Sequence, residues 1–227
     1  MIMGHYGVAL AAKPMQRRLP LWLLCGAVQW LDICWAVLVM LGIEKFRIVP
    51  YLTEANWLDL YFIPYTHSVV GALLLSVLLG AVSAAFYAPR LRTFLVVAAC
   101  SFSHWPLDWL VHIEDLPLFG NCCKTGLGLW RHLWISFPLE LIFLWGGAFI
   151  LARRVKAATS FRAAWLWVFV VALTLEECNV SFGWFGPFFT TPVAIGALSL
   201  AIYLIVALLA GLVGLTRTGE PIPLKAS

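Results

Sequence analysis

Thr93–His112 reads TFLVVAACSFSHWPLDWLVH, and its second half places His104, Asp108 and His112 inside an otherwise apolar run. A helix needs about 20 such residues to cross the ~30 Å hydrocarbon core of a bilayer. Four more stretches qualify, Leu21–Ile43, Ser68–Ala88, Leu129–Ala152 and Pro192–Leu215. A sixth runs from Ala163 to about Val180 and turns polar at Glu176 and Glu177. No alternation at strand period is long enough for a barrel. The chain therefore reads as an all-α integral membrane protein of about six transmembrane helices, one polytopic domain over residues 1–227.

Composition agrees. Of 227 residues, 63% are apolar and 11% charged, with a mean hydropathy of +0.92. Soluble domains have roughly 45–50% and 25%, and a water-soluble globule of this size cannot hide so much apolar surface. Soluble, disordered and nucleic-acid-binding classes are excluded. The net charge of +4 has a better explanation in topology. Lys13, Arg17, Arg18, Arg90, Arg92, Arg153, Arg154, Lys156, Arg162, Arg217 and Lys225 fall on one side of the predicted spans. Lys45, Arg47 and Lys124 fall on the other, with Arg131 at a helix entrance. The positive-inside rule puts the N-terminal basic segment and the C-terminus in the cytoplasm, and Glu44, Glu54, Asp59, Glu114, Asp115, Glu176 and Glu177 outside. Residues 1–12 are apolar, too short to span, and carry their positive charge after the apolar stretch, unlike a secretory signal. They read as a re-entrant half-helix covered by protein.

An acid at a helix centre costs about 2.5–3.5 kcal/mol on insertion scales, so Asp32, Asp108 and Glu140 need a partner or a task. His104, Asp108 and His112 follow at i, i+4 and i+8 and share a helix face. That is the spacing with which one helix offers two ligands to a metal. Asp115 extends the row. Twelve helical residues rise about 18 Å, and Asp32, His104 and His5 each lie twelve residues from a cytoplasmic anchor (Pro20, Arg92 and Arg17). Their side chains can meet at one level. His67 joins them if its helix tilts or the Tyr65–Ser68 corner dips inward. Glu140 is expected to pair with Arg131, His132 or a backbone group, and Gln29 to orient a ligand or bond a neighbouring helix. Trp22, Trp30, Trp35, Trp105 and Trp109 read as packing and interface residues. The six cysteines follow no Cys-x-x-Cys spacing, which excludes a zinc ribbon. Cys122 or Cys123 can pair with Cys178 in an oxidising compartment.

Gly4-His5, Leu31-Asp32, Thr66-His67-Ser68 and Ser103-His104…Asp108 recur in one order. This resembles the membrane-bound metal-dependent hydrolases of the YdjM type, the LexA-binding, inner-membrane-associated hydrolase family, over residues 4–118. The remaining spans (119–227) carry no motif of that family. The chain has Leu31-Asp32-Ile33-Cys34 where the family often has Pro-Asp-x-Asp, and Ile63-Pro64-Tyr65 where it often has His-Arg-Gly; it adds His112. The ligand order is also similar to that of zinc-dependent bacterial phospholipases C, without their later His-x-x-x-Glu.

These readings converge on a metal site of His5, Asp32, His67, His104, Asp108 and His112, with Asp32, Asp108 and His104 as catalytic candidates. Nitrogen and carboxylate donors without thiolate suit Zn, Mn or Fe. The expected function is hydrolysis of an ester or phosphodiester in a lipid-like or lipid-linked molecule, in a bacterial inner membrane. Two alternatives use the same residues: a transporter with a His/Asp proton or cation relay, and a non-catalytic scaffold stapled by metal.

Overall fold

The computed structural model describes residues 1–183 and 191–221; Lys225 of the basic side lies outside them. The elements run α1 (Gly4–Ala12), α2 (Leu21–Val28), α3 (Trp30–Met40), β1 (Lys45–Ile48), β2 (Leu58–Phe62), α4 (Val69–Phe86), α5 (Arg90–Phe102), α6 (His104–Val111), a 3-10 turn (Leu129–Arg131), α7 (Leu133–Arg154), β3 (Val155–Ala157), α8 (Ser160–Phe182), α9 (Pro192–Leu215) and β4 (Arg217–Pro221). Among the described residues, five helical stretches are long and apolar enough to cross a membrane, and six if α2 and α3 count as one broken span.

Capping chemistry sets the ends of the long helices. Ser68, Thr159 and Thr191 each accept a hydrogen bond from the amide three residues on, at the starts of α4, α8 and α9. This satisfies a backbone donor that would otherwise be orphaned. Gly183, at φ +63°, ends α8 in the left-handed region. The fifth expected span thus continues beyond Glu176 and Glu177, because Glu177 is buried against protein. The first expected span is not continuous: it bends by 59° at Gln29. Outward rows such as Leu204, Ile205, Leu208 and Leu212 on α9 are exposed, as suits a hydrocarbon surround.

Residues 1–12 do form a half-helix, and α1 is buried inside the bundle. Glycine makes this possible. A Cβ on Gly7 would lie 2.0 Å from Phe143 O, and one on Gly147 1.9 Å from Gly7 O. The backbones of α1 and α7 therefore touch, the close approach that small residues permit between membrane helices. Elsewhere Ser76 Oγ donates to Ser101 Oγ (2.8 Å) between α4 and α5.

The short strands mark two opposite sides. On one, β1 pairs antiparallel with β2, Lys45 opposite Phe62 and Ile48 opposite Leu58. Asn121 and Lys124 donate to Tyr61 O there. On the basic side, β3 pairs antiparallel with β4, and Arg17 donates to Arg154 O. The largest apolar cluster is built by α1, α2, α5 and α7–α9. A second, around Trp35, Phe46, Leu60 and Leu116, lies under the β1–β2 hairpin.

Candidate metal centre

Five of the six expected ligands meet in two overlapping groups, His5–His104–Asp108 and Asp32–His67–His104, whose donor atoms lie within 4.8 Å of one another. Asp108 is central. Its Oδ1 is 3.0 Å from His5 Nε2, and its Oδ2 is 2.9 Å from His104 Nε2 and 3.8 Å from His67 Nε2 and His112 Nε2. Asp32 Oδ1 lies 3.3 Å from His67 Nε2 and 3.5 Å from His104 Nε2. The amino group of Met1 also contacts Asp108 Oδ1. His112 stands at the margin, in neither group.

All four contacting imidazole nitrogens of this set are Nε2, and in three of the rings Nδ1 is already engaged. His104 Nδ1 bonds Val28 O at 2.7 Å. The break at Gln29 frees that carbonyl, which a continuous helix would have used for the amide of Asp32. His112 Nδ1 bonds Asp115 Oδ1 at 2.9 Å. His67 Nδ1 meets Thr66 Oγ1 at 2.7 Å, while Thr66 Oγ1 donates to Glu44 Oε2 at 2.6 Å. With its only proton spent on Glu44, the hydroxyl accepts from His67, so Nδ1 carries the proton and Nε2 is left with a free lone pair. Metal-binding histidines are oriented in this manner. His104 Nε2 supplies the test of fit. It is buried and lacks a hydrogen-bond partner, although a carboxylate oxygen is 2.9 Å away. Nitrogen and oxygen donors grouped within 4.8 Å of one another suit a cation held by such atoms.

Glu140, by contrast, faces backbone. It accepts from Ile2 N (2.9 Å) and Gly4 N (2.7 Å), and Glu177 accepts from Met3 N (3.3 Å). The two acids satisfy the exposed amides at the start of α1 and complement its dipole. Of the expected partners for Glu140, the backbone is the one found; Arg131 pairs instead with Glu114 at 2.7 Å. Gln29 bonds Ile2 O at 3.3 Å. All six cysteines are free, so neither Cys122 nor Cys123 is joined to Cys178; their Sγ atoms face each other instead.

Two further residues belong to the site that the sequence did not assign to it. Tyr203 on α9 donates to Asp32 Oδ2 at 2.9 Å. Glu44, expected on the outer side, is only 1% exposed and anchors the Tyr65 and Thr66 amides. That anchorage carries His67 inward, because the segment before α4 folds under the hairpin instead of standing at the rim.

A cavity of about 210 Å³ reaches Asp32, His67, Asp108 and His112. Its walls are mostly apolar, from Trp35, Leu58, Leu60, Trp130, Val180 and Ile202, with Asn56, Glu176, Ser199 and Tyr203 as polar points. The ligand cluster is thus accessible from one side, while His5 and His104 form its closed back. The arrangement can hold a metal ion and admit a partly apolar molecule to it. Compared with known protein families, characterised proteins and solved structures, the chain matches none.

Proposed function

We propose that the protein is a membrane-embedded metal-dependent hydrolase, akin to the YdjM type, acting on an ester or phosphodiester of a lipid-like molecule. The observation that carries this reading is the convergence of buried imidazole and carboxylate donors beside an open cavity. Zinc is the metal that the nitrogen and oxygen donors and hydrolytic chemistry favour, with Mn or Fe as the other candidates. A bound ion of this kind supplies an activated water at neutral pH and polarises the scissile acyl or phosphoryl group.

His104, His67, Asp32 and Asp108 would hold the ion, with His5 on the far side of Asp108. The His5 and His104 rings are stacked 3.9 Å apart and 6° from parallel, and they address Oδ1 and Oδ2 of Asp108 separately. Both oxygens of Asp108 would thus be available to hold metal, one beside His5 and the other beside His104. Asp32 is the carboxylate best placed to take a proton from an attacking water. Its side chain is 18% exposed against 3% for Asp108, and it lines the cavity beside Tyr203. The apolar walls would take up a hydrocarbon portion of the substrate and limit water at the reacting group.

We place the protein in a bacterial inner membrane, and the positive-inside rule supports an orientation with the basic side in the cytoplasm. The test of function is to incubate the purified protein in mixed-lipid liposomes with added zinc and to follow products by mass spectrometry. Product that disappears with chelator and in Asp108→Asn is expected. Product indifferent to both would overturn the assignment, and ion or proton flux in the same liposomes would favour the transporter.

A further inference from the structure

The connection between α6 and α7 carries the two exposed cysteines of the chain. Cys25 and Cys100 are buried, and Cys34 and Cys178 half-buried. Cys122 and Cys123 lie with their Sγ atoms 3.4 Å apart. Their position is held by the backbone: Cys122 N–H donates to Phe119 O at 3.0 Å, and Leu118 N–H to Cys122 O at 3.2 Å. Gly120 (φ +53°) and Cys123 (φ +55°) take up the left-handed turns of this loop. Asn121 and Lys124, on either side of the pair, both donate to Tyr61 O on β2, at 3.2 and 2.8 Å. The thiols are therefore presented together on a tethered tip.

We propose that Cys122 and Cys123 form a reversible redox-modification site, a vicinal dithiol that closes into a disulfide across their shared peptide bond by exchange with an external disulfide. Adjacent Cα atoms stand about 3.8 Å apart, below the roughly 4.4–6.8 Å that disulfides ordinarily span. Such a ring is strained and readily reduced, the property of labile disulfides rather than structural ones. The exchange balances with a small-molecule disulfide RSSR as oxidant. The thiolate of one cysteine attacks RSSR, forming a mixed disulfide and releasing RS⁻. The second cysteine, as thiolate, attacks the protein sulfur of that mixed disulfide and releases the second RS⁻. The two thiol protons are taken up by the departing thiolates. Cys122 and Cys123 are oxidised, and RSSR is reduced to two RSH. The site is independent of the metal reading.

The test uses the full chain in detergent, reduced, desalted and exposed to oxidised glutathione before its remaining thiols are alkylated and the digest is analysed by mass spectrometry. The peptide holding both cysteines should lack the two thiol hydrogens, carry no alkyl group, and revert with dithiothreitol. Cys122→Ser and Cys123→Ser should instead leave the surviving cysteine as a glutathione adduct. The reduced wild type should also bind phenylarsine oxide in a form that resists a monothiol and yields to a dithiol, and neither variant should. Lasting glutathione adducts at both positions, unreacted thiols, a dimer linked through either residue, or a bond to Cys178 would overturn the proposal.

Discussion

Two pairs of acids lie within this bundle, Asp32 the most exposed of the four, and they do different work. Asp32 and Asp108, in the first half of the chain, face imidazole nitrogens. Glu140 and Glu177, in the second half, face the amides that open α1. Each pair answers the same insertion cost, so burial of an acid does not by itself identify a ligand; the chemistry of its partner does. The division is cooperative, because the second half sets the stage for the first. Glu140, Glu177 and the Gly7–Gly147 contact hold α1, and α1 carries His5.

Removal of Asp108 tests the comparison most severely. Changes behind a ligand typically lower metal affinity 10–100-fold, and loss of a ligand lowers it more. Asp108→Asn is expected to lose bound metal by elemental analysis while retaining its helical circular dichroism. Glu140→Gln, which keeps an acceptor for the α1 amides, should lower affinity less than tenfold and appear chiefly as a reduced Tm. Equal metal loss in both variants would break the distinction between the two pairs of acids. A wild type with about two equivalents and a His5→Ala variant with about one would sharpen it, since His5 addresses its own oxygen of Asp108.

Packing comes next in size. Gly147→Leu inserts a side chain where a Cβ alone would lie 1.9 Å from Gly7 O. Overpacking of a tight contact costs about 1–3 kcal/mol, and here it must also push α1 off α7. A fall in Tm together with loss of the metal held through His5 is expected. A lower Tm with full metal content would detach α1 from the site.

Smaller effects belong to the residues that orient ligands. Thr66→Val removes the acceptor of His67 Nδ1, and Asp115→Asn weakens that of His112. Each should reduce zinc affinity by about 10–100-fold in a chelator competition, the former more, because His112 lies outside both ligand groups. Tyr203→Phe leaves Asp32 Oδ2 without its donor and is expected at the low end of that range. A larger effect for Asp115→Asn than for Thr66→Val would move His112 to the centre of the site.

The clustered donors were legible because imidazole and carboxylate are conspicuous in an apolar run, and because His104 and Asp108 keep a helix period. Their supports were not. Val28 contributes a main-chain carbonyl, freed by a bend at Gln29 that neither proline nor glycine marks at that residue. Tyr203 lies in an apolar helix where an aromatic ring reads as lipid-facing, and its hydroxyl becomes meaningful only once α9 packs beside α3. Glu44 follows a span and precedes basic residues, the pattern of a solvated turn. Its burial depends on a hairpin that returns over it, a contact between residues far apart in sequence. The spans themselves were readable by length and hydropathy, but the bend within the first was not, since hydropathy is blind to direction.

The smallest expected effect concerns the pair outside the bundle. Arg131 donates to Glu114 at 2.7 Å, and this bond holds the Glu114 carboxyl below the usual carboxylate range. A lowered value in the folded chain means that the pair stabilises above the ordinary carboxylate range and ceases to do so as pH falls through the lowered value. Both partners are exposed, so solvent and salt screen the interaction. Glu114→Gln should therefore leave Tm within error of wild type, and more closely so at high salt. His132 is likewise exposed and belongs to neither ligand group, so His132→Ala should keep full metal content. Both variants carry the comparison to its limit, since each removes an ionisable group a few residues from the bundle without touching either pair of buried acids. Metal loss in His132→Ala would mean that an imidazole beyond the Asp108 cluster contributes to binding, and the set of ligands would have to be redrawn around the start of α7.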